Sequence, residues 1–542
     1  MPQTDNSRDL SLTRTRARAR VPAAIVVTAL GALAAWLSLP NTSRAASPPI
    51  SPAQIDQTVA RAMETFSVPG LAVGIVKDGK LVFAKGYGVR ELGQPAKVDA
   101  DTLFAIGSIT KAFTTASLAM LVDEGKLSWD DRVIDHLPEF RLYDPYVTRE
   151  FTIRDLLTHR SGLGLGAGDL LFVPSTDFSR EQVIHALRYL KPVSSFRSRY
   201  AYDNLLYVVA GQIIPAVTHM SWEDFVTQRI LHPLHMEPCA VNVKSETDRS
   251  NVASRHAKVD GRVTVVPAED FPVVGPAGTI QCNINGMAKW LETQLAGGKS
   301  PTGERLFSSA QRDEMWSPQT IIPNAAPPGP LTRSHFATYG LGWRLEDYNG
   351  YKRVHHSGGV LGTVTYVNLI PELNLGVIVL TNQEDTAPMA AISLRIIDAY
   401  IGAPATDWVA QLRTLDEHRE QQAGEVERTA LKETGLGALP APPQQFVGVY
   451  HDPWRQDANI ATVEGKLHLK FSHTERLEGD LTPSGPDRYI VHWADRSLNA
   501  DAYVLFSRDF DGNVAGFTMR PVSPLTDFSY DFQDLDFRRK SK

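Results

Sequence analysis

The sequence predicts an α/β fold of the α+β kind, in which one antiparallel sheet is flanked by helices and carries a helical insertion, followed by a C-terminal all-β barrel. Three observations in the 542-residue chain predict this fold. Two apolar hairpins lie far apart, the residues between them have helical patterns, and the last hundred or so residues alternate in short runs. Strands at both ends of a domain with helices between them favour a single sheet.

The two hairpins mark the ends of the predicted sheet. Residues 71–86 contain two apolar runs on either side of an Asp-Gly turn, which is a strong hairpin signal. The second hairpin is predicted at 364–380. Helices are predicted at 55–66, before the first hairpin, and at 388–401, after the second. We expect a functional site where the sheet meets the helical insertion.

The C-terminal residues have a different pattern. A charged helix is predicted at 405–432, and the Gly- and Pro-rich residues 435–443 are typical of a linker. Short alternating runs then recur between turns, at 446–450, 461–463, 466–471, 489–493, 503–507 and 516–519. They predict a small barrel or sandwich of about 100 residues.

The chain divides into four predicted segments, because 542 residues are more than one hydrophobic core usually serves. Residues 1–46 are a signal peptide or an N-terminal membrane anchor, and 47–404 are the α+β domain. Residues 405–440 are a helical segment and linker, and 441–542 are the barrel.

The charge distribution indicates export and argues against a nucleic-acid partner. The first 46 residues hold six arginines and two aspartates, a net charge of +4, so the rest of a chain with net charge −6 carries −10. An acidic body without a Lys/Arg-rich run does not suit nucleic acid. A basic stretch at 14–20, an apolar run at 21–39 and a small-x-small site at 43–45 predict a Sec-type signal of a periplasmic or secreted protein. Because the apolar run is nearly long enough to span a bilayer, an uncleaved inner-membrane anchor stays open.

The cysteines and histidines predict neither a metal nor a redox site. Cys239 and Cys282 form no Cys-x-x-Cys motif, which excludes zinc ribbons and thioredoxin-like chemistry. A disulfide can form after export, but two separate buried thiols are favoured. The adjacent His355 and His356 point to opposite faces of a strand and have no acidic partner at metal-ligand spacing, so no metal or cofactor is expected.

Ser108-Ile109-Thr110-Lys111 is the one Ser-x-x-Lys tetrapeptide in the chain. It follows a strand-like run and opens a helical run, so backbone N–H groups and the positive end of the helix dipole lie beside Ser108. Lys111 lies one turn further on the same face. Burial lowers the pKa of a lysine below its usual value of about 10.4, and a neutral amine can then take the proton of a serine nucleophile.

Two further motifs follow in order, Tyr202-Asp203-Asn204 and His356-Ser357-Gly358. Together with residues 104–114 they resemble the signatures of the serine β-lactamase and penicillin-binding protein superfamily. The closest resemblance is to its class C β-lactamase, D-aminopeptidase and carboxylesterase branch. It extends over residues 50–402, with support from 156–163 and 340–343, and the tail from residue 440 is similar to lipocalin-like domains appended to this branch.

The resemblance implies three catalytic residues. Ser108 attacks a carbonyl and is acylated, and Lys111 takes or relays its proton. Tyr202 acts as a phenolate or a proton relay during acylation and deacylation. The absence of any Gly-x-Ser-x-Gly sequence argues against a rival nucleophile of the α/β-hydrolase type.

The same resemblance implies five substrate-binding residues, namely Asn204, His356, Ser357, Gly358 and Gly359. Asn204 donates its amide to a substrate carbonyl and accepts from Lys111. His356 binds a substrate carboxylate or lowers the pKa of Tyr202. The oxyanion hole consists of the backbone N–H groups of Ser108 and Gly359.

One residue departs from the pattern of this branch. Position 203 is Asp, where the branch usually has Ser or Ala. If this carboxylate faces inward, it raises the pKa of Lys111 and weakens the general base, and if it faces outward it has no effect. A second Tyr-x-Asn, at Tyr366, lies inside an apolar strand and is interpreted as structural, whereas His159 and Arg160 are expected to brace the loop before the site.

These observations predict an exported serine hydrolase that works through an acyl-enzyme on small-molecule or peptide substrates. The expected substrates are small amides or esters, such as D-amino-acid peptides, peptidoglycan fragments and esters, with β-lactams as a further candidate class. The alternative is a penicillin-binding sensor or cell-wall-binding protein with little turnover. The sequence is also compatible with a homo-oligomer.

Overall fold

The computed structural model describes residues 49–245, 250–323, 334–433 and 442–540. The predicted targeting segment and most of the predicted linker lie outside the described residues. The strands before the linker are β1 (Gly70–Lys77), β2 (Lys80–Gly88), β3 (Phe104–Ala105), β4 (Arg255–Val259), β5 (Arg262–Val266), β6 (Gln281–Cys282), β7 (Thr320–Ile322), β8 (Ala337–Tyr339), β9 (Arg344–Tyr348), β10 (Tyr351–Val360), β11 (Thr363–Ile370) and β12 (Leu375–Thr381).

The helices flank and interrupt these strands. They are α1 (Pro52–Phe66), α2 (Thr110–Asp123), α3 (Val133–His136), α4 (Pro145–Glu150), α5 (Ile153–Leu157), α6 (Arg180–Ala186), α7 (Leu205–Thr218), α8 (Trp222–Val226), α9 (Gly275–Gly278), α10 (Ile284–Leu295), α11 (Ser309–Met315), α12 (Thr386–Ile401) and α13 (Trp408–Glu433). The predicted terminal helices and the charged helix are therefore present, with ends shifted by a few residues.

The main sheet confirms the predicted antiparallel architecture. Its strand order is β2-β1-β12-β11-β10-β9-β8-β7, and the first hairpin meets the last one through β1 and β12. Every residue of β12 is buried, as are all residues of β1 except Lys77. Both strands read as continuous apolar runs because helices cover both faces, α1 and α12 on one side and α10 on the other. The helical insertion holds β3 to β6 as two small sheets.

The small β3–β6 sheet corrects one prediction from the sequence. Phe104 pairs with Cys282, and Ala240 exchanges two backbone hydrogen bonds with Gln281, at 2.9 and 2.8 Å. This pairing places Cys239 beside Cys282, with 4.3 Å between their Cα atoms, and the two are joined in a disulfide. The expectation of two separate buried thiols was wrong, because the neighbouring backbone pairing is long-range and leaves no trace in the cysteine spacing.

The C-terminal residues form the predicted barrel. It is closed, with the order β13 (Gly448–Asp452), β14 (Gln456–Val463), β15 (Lys466–Phe471), β16 (Glu478–Pro483), β17 (Arg488–Trp493), β18 (Ala502–Arg508), β19 (Val514–Pro521) and β20 (Asp536–Arg539). Aromatic rings fill its interior, among them Phe517, which contacts both Phe506 and Phe537. The sequence did not reveal β16, which contains Gly, Asp and Pro, or the short β20.

In the part of the chain that is described, no individual helix has the length and apolar character needed to cross a membrane. Only when Leu205–Thr218 and Trp222–Leu231 are taken together do length and composition reach those of a membrane-spanning segment, and an 80° bend separates these two.

Candidate active site

Ser108 lies on a 3-10 turn, Gly107–Ile109, that joins β3 to the buried helix α2. The turn begins at Gly107 with a φ of 51°, in the left-handed region that favours glycine. The side chain of Ser108 is partly exposed, whereas its neighbours on both sides are buried. Ser108 is therefore the residue of this turn that a substrate can reach.

Lys111 is fully buried one turn further along the chain. Its Nζ donates to Ser108 Oγ at 3.0 Å, to Asn204 Oδ1 at 2.7 Å and to the carbonyl oxygen of Ala277 at 3.0 Å. Burial lowers the pKa of Lys111 to about 7, against opposing contributions from Asp169 and Asp203. The structure thus places the predicted nucleophile Ser108 within hydrogen-bond distance of an amine whose pKa is lowered.

Tyr202 and Asn204 come from the segment that leads into α7. The ring centroid of Tyr202 lies 4.8 Å from the Nζ of Lys111, and the Ser108 side chain lies close enough to favour the ionised form of the Tyr202 hydroxyl. Burial raises the pKa of Tyr202 well above its usual value, despite the opposing effect of Ser108. Tyr202 is therefore a neutral phenol at neutral pH, which favours the relay role over the phenolate role.

His159 holds Tyr202 in place. The His159 ring lies 4.3 Å from the Tyr202 ring and 4.4 Å from the Tyr339 ring, and its Nδ1 accepts from the backbone N–H of Asp203 at 3.1 Å. Burial lowers the pKa of His159 well below its usual value, so this ring is neutral. As predicted, His159 braces the site, and Arg160 binds the buried Asp155 below it at 2.9 Å.

Asp203 faces inward but does not touch Lys111. Its Oδ1 accepts from the backbone N–H of Leu206 at 3.3 Å, so the carboxyl group caps the first turn of α7. Burial raises the pKa of Asp203 to about 7. Asp203 raises the pKa of Lys111, as the sequence predicted for an inward-facing carboxylate, but burial of Lys111 lowers that pKa by more.

His356 lies on β10 and forms the wall behind Tyr202. Its Nε2 lies 2.9 Å from the Tyr339 hydroxyl and its Nδ1 lies 2.6 Å from the carbonyl oxygen of Ser357. Burial, with the charge of Lys111 second, lowers the pKa of His356 to about 3. His356 is thus neutral, with both ring nitrogens engaged within the chain, an arrangement that suits a wall-forming role better than recognition of a carboxylate.

The backbone of β10 touches the turn that carries Ser108. A Cβ atom added to Gly107 would lie 2.6 Å from the backbone nitrogen of Gly359, and one added to Gly358 would lie 1.8 Å from the carbonyl oxygen of Ile106. Ser357 and Gly359 are exposed, whereas Gly358 is buried against Ile106. Ser357 and Gly359 therefore lie exposed beside the turn that carries Ser108, and glycine is required where the two backbones meet.

Sequence reasoning missed one acidic residue of this site. Asp169 is fully buried, and its Oδ2 accepts from Asn204 Nδ2 at 2.8 Å and from Ser529 Oγ at 3.0 Å. Burial raises the pKa of Asp169 well above its usual value. A lone Asp after Gly168 carries no recognisable signal, and Ser529 lies 360 residues away in the barrel.

The remaining histidine of the pair is separate from the site. His355 faces the opposite side of β10, where its Nδ1 lies 3.0 Å from the Tyr366 hydroxyl. Tyr366 belongs to this structural pair, as the sequence interpretation of the second Tyr-x-Asn requires. Among the described residues, no group of three or more His, Cys, Asp or Glu side chains is arranged to hold a metal ion.

Comparison with known proteins agrees with this geometry. The Beta-lactamase family model matches residues 55–400, which span α1 to α12 and all the site residues from Ser108 to Gly359. The chain belongs to the Beta-lactamase family. A second model, a domain of unknown function (DUF3471), matches residues 438–539, which contain the barrel.

Several curated relatives are similar to the chain. The unguisins hydrolase UngD of Aspergillus violaceofuscus is 28% identical over 65% of this chain and 65% of its own length. The corresponding UngD' protein of Aspergillus campestris is 28% identical over 76% of this chain and 79% of its own length. The Flp protein of Staphylococcus aureus is 28% identical over 61% and 62%. The chain thus spans just under two thirds of the first and third relatives.

A solved structure shares the fold. The octameric penicillin-binding protein homologue from Pyrococcus abyssi aligns with a TM-score of 0.58 at 21% identity, covering 90% of this chain and 100% of that one. The fold class and the superfamily predicted from the sequence are confirmed by these matches.

Proposed function

We propose that this protein is an exported serine hydrolase of the class C β-lactamase-like type, which cleaves small amides or esters through an acyl-enzyme on Ser108. The observation that carries the proposal is the set of three hydrogen bonds at Lys111 Nζ, combined with a pKa of about 7. Neutral Lys111 keeps two N–H donors for Asn204 and Ala277, and directs its lone pair at the hydroxyl of Ser108.

Acylation follows from this arrangement. As Ser108 Oγ bonds to the substrate carbonyl carbon, its proton passes to Lys111 Nζ and the carbonyl electron pair moves onto oxygen. The backbone N–H groups of Ser108 and Gly359 lie where two backbones meet, and they stabilise the oxyanion. The oxyanion then collapses and the bond from the carbonyl carbon to the leaving amine or alcohol breaks, while the Tyr202 hydroxyl donates its proton to the leaving group and takes one from Lys111 in the same step.

Deacylation uses the same groups in reverse. A water molecule attacks the ester carbon and passes its proton to the amine of Lys111 or through Tyr202, and Ser108 Oγ leaves with a proton. Asn204, held between Lys111 and Asp169, presents its amide beside the scissile group. No step requires Tyr202 to be ionised.

The substrate class is proposed from the resemblance to the class C branch and from the partly exposed Ser108. We propose D-amino-acid peptides, peptidoglycan-derived fragments and simple esters, with β-lactams as acylating agents. The name of the Aspergillus relatives, unguisins hydrolase, supports hydrolysis as the activity. The neutral, internally bonded His356 supports substrates that are recognised without a carboxylate contact at that residue.

The direct test is covalent labelling. Wild-type protein and Ser108→Ala are treated with a fluorophosphonate and with a labelled penicillin, and intact masses are measured. We expect one adduct per chain in the wild type and none in the variant, with the modified peptide containing Ser108. Equal labelling of both proteins would overturn the assignment of the nucleophile.

Turnover separates the enzyme from the sensor alternative. Steady-state hydrolysis of p-nitrophenyl esters and of D-alanine p-nitroanilide is measured on the same preparations. Multiple turnovers by the wild type support the hydrolase. Stoichiometric labelling without turnover would favour a penicillin-binding sensor or a wall-binding protein.

Export belongs to the same proposal. It is supported by the basic start and apolar run of the first 46 residues, and by the Cys239–Cys282 disulfide, since disulfides persist in oxidising compartments. Expression of the full chain in a bacterium, followed by fractionation and N-terminal sequencing, tests it. Cleavage after residue 45 is expected, retention in the inner membrane would indicate an anchor, and a full-length cytosolic chain would contradict export.

A further inference from the structure

The connection between β19 and β20 of the barrel reaches the catalytic residues of the first domain. Phe528 packs edge-on against the Tyr202 ring, with 5.8 Å between ring centroids. Ser529 donates its hydroxyl to Asp169 Oδ2 at 3.0 Å. Ser529, Tyr530 and Asp531 are all buried, so this segment is a packed part of the molecule.

Asp531 fixes the segment onto the loop that carries Asp169. Its two carboxylate oxygens accept from the backbone N–H groups of Gly168, at 2.6 Å, and of Leu170, at 3.0 Å. The same loop packs closely against the segment at Gly166, where an added Cβ would lie 2.6 Å from the carbonyl oxygen of Phe528. Residues 528–531 therefore dock on both sides of Asp169.

Asp169 links this contact to the base. Its Oδ2 accepts from Ser529 Oγ and from Asn204 Nδ2, and Asn204 Oδ1 accepts from Lys111 Nζ. The chain of hydrogen bonds runs without interruption from the barrel to the amine beside Ser108. Asn204 can serve Lys111 as an acceptor only with its amide in this orientation, and the carboxyl of Asp169 fixes that orientation.

We propose that residues 528–531 of the barrel form part of the active site, with Ser529 as a positioning residue that acts through Asp169 on Asn204 and Lys111. The proposal rests on the proposed function, because it assigns the barrel a role in acylation of Ser108. It goes beyond that function by making the C-terminal domain a part of the catalytic apparatus.

The charged surroundings define the expected pH behaviour. The groups that face Asp169 and Lys111 are Asp203 before α7, Asp531 from the barrel, and the neutral rings of His159 and His356. A carboxylate at 169 raises the pKa of Lys111. Because burial also raises the pKa of Asp169 well above its usual value, that charge is not present throughout the tested range. Replacing Asp169 by an amide leaves an oxygen to accept from Asn204, so this variant tests the hydrogen bonds of Asp169 and not its charge.

The test compares acylation of Ser108 in full-length variants, with a fluorophosphonate as probe and intact mass as readout at several pH values. Ser529→Ala should lower the acylation rate constant about tenfold, with the concentration for half-maximal rate changed less than about twofold. Ser529→Thr, which keeps the hydroxyl, should restore most of the rate. Ser523→Ala is the matched control, because its hydroxyl accepts within the same connection, from Leu525 at 3.2 Å.

Asp169→Asn provides a second measurement that does not depend on whether threonine fits at 529. The loss caused by Ser529→Ala should be smaller in the Asp169→Asn background than in the wild type, because the Ser529 hydroxyl acts through the carboxyl of Asp169. A wild-type rate constant in Ser529→Ala, or an equal loss from Ser529→Ala in both backgrounds, would overturn the inference while the hydrolase assignment stands. Failure of the wild type to be labelled at any pH would instead overturn the proposed function, and this inference with it.

Discussion

The Nζ of Lys111 has three hydrogen-bond partners, and their arrangement decides which protonation state serves Ser108. An ammonium donates to all three, whereas a neutral amine satisfies Asn204 and Ala277 and offers its lone pair to the serine hydroxyl. Burial brings the pKa to about 7, so both states are populated near neutral pH. Lys111 can therefore take a proton in one step and return it in the next.

Tyr202 supplies the first prediction at the residue scale. Tyr202→Phe removes the hydroxyl that lies near Ser108 and keeps the ring contact with His159. We expect kcat to fall by about 10²- to 10⁴-fold, the usual contribution of a proton-transfer group, with little change in thermal stability. Steady-state kinetics with a p-nitrophenyl ester measures it.

Tyr366→Phe is the matched control for this variant. Tyr366 is the other tyrosine of a Tyr-x-Asn sequence, and its hydroxyl lies 3.0 Å from Nδ1 of His355 on the far side of β10. Activity per folded molecule should be retained. Equal losses in both variants would show that Tyr202 acts through folding alone.

At the scale of elements, the start of α7 combines a helix cap with an electrostatic effect on the base. Asp203→Asn keeps an oxygen for the backbone N–H of Leu206 and removes the charge that raises the pKa of Lys111. Because the pKa of Lys111 then falls, the acidic limb of kcat/KM should move to lower pH. Asp203→Ala should in addition cost about 1 kcal/mol of unfolding free energy through loss of the cap. A shift of the limb to higher pH would contradict this account.

The contact between β10 and the turn before α2 gives another prediction for an element. Gly107→Ala would place a Cβ 2.6 Å from the backbone nitrogen of Gly359 at a residue whose φ is 51°. The two N–H groups assigned to the oxyanion hole would be forced apart, so kcat should fall by about 10²-fold or more, as for loss of one such donor.

Gly278→Ala is the appropriate comparison for Gly107→Ala. Gly278 lies in α9 close to the same turn, and the nearest atom to its added Cβ is 3.8 Å away. Kinetics and thermal unfolding of both variants are measured together. A Gly107→Ala protein with wild-type kcat would remove the assigned oxyanion hole.

How far an element could be predicted depended on how local its signals are. The helix and hairpin signals at 55–86 and 364–401 predicted the sheet, because apolar periodicity and an Asp-Gly turn are local. The order of three short motifs predicted Ser108, Lys111, Tyr202 and Asn204 as neighbours. Strand β16 was missed because its Gly, Asp and Pro disfavour strands, and only the barrel's closure imposes that conformation.

At the scale of the whole molecule, the features that the sequence did not predict depend on contacts between residues far apart in the chain. The disulfide depends on Ala240 pairing with Gln281, and the Ser529–Asp169 contact joins two domains. Neither contact leaves a pattern along the chain. The sequence therefore predicted no role for Asp169 or Ser529, and the expectation of two separate thiols was wrong. The effect of Asp203 on the pKa of Lys111 likewise depends on the burial of both side chains, which only the folded structure shows.

The disulfide gives the prediction that belongs to this scale. Replacing both Cys239 and Cys282 by serine removes a crosslink between residues 43 positions apart. Constraint of the unfolded chain by a loop of this size typically contributes about 2–4 kcal/mol, so the urea midpoint should fall while kcat at 25 °C is retained. Wild-type protein unfolded and refolded under reducing conditions should share the lower midpoint. An unchanged midpoint would show that the crosslink contributes nothing to stability.

The most direct test of the central claim is the pH dependence of Ser108 acylation, followed as the pre-steady-state burst with a p-nitrophenyl ester. Acylation requires neutral Lys111, so the rate constant should rise with pH through a midpoint near 7 and then level off. A midpoint near 10, the value of a solvated lysine, or a rate that does not depend on pH between 5 and 9, would contradict Lys111 as the base.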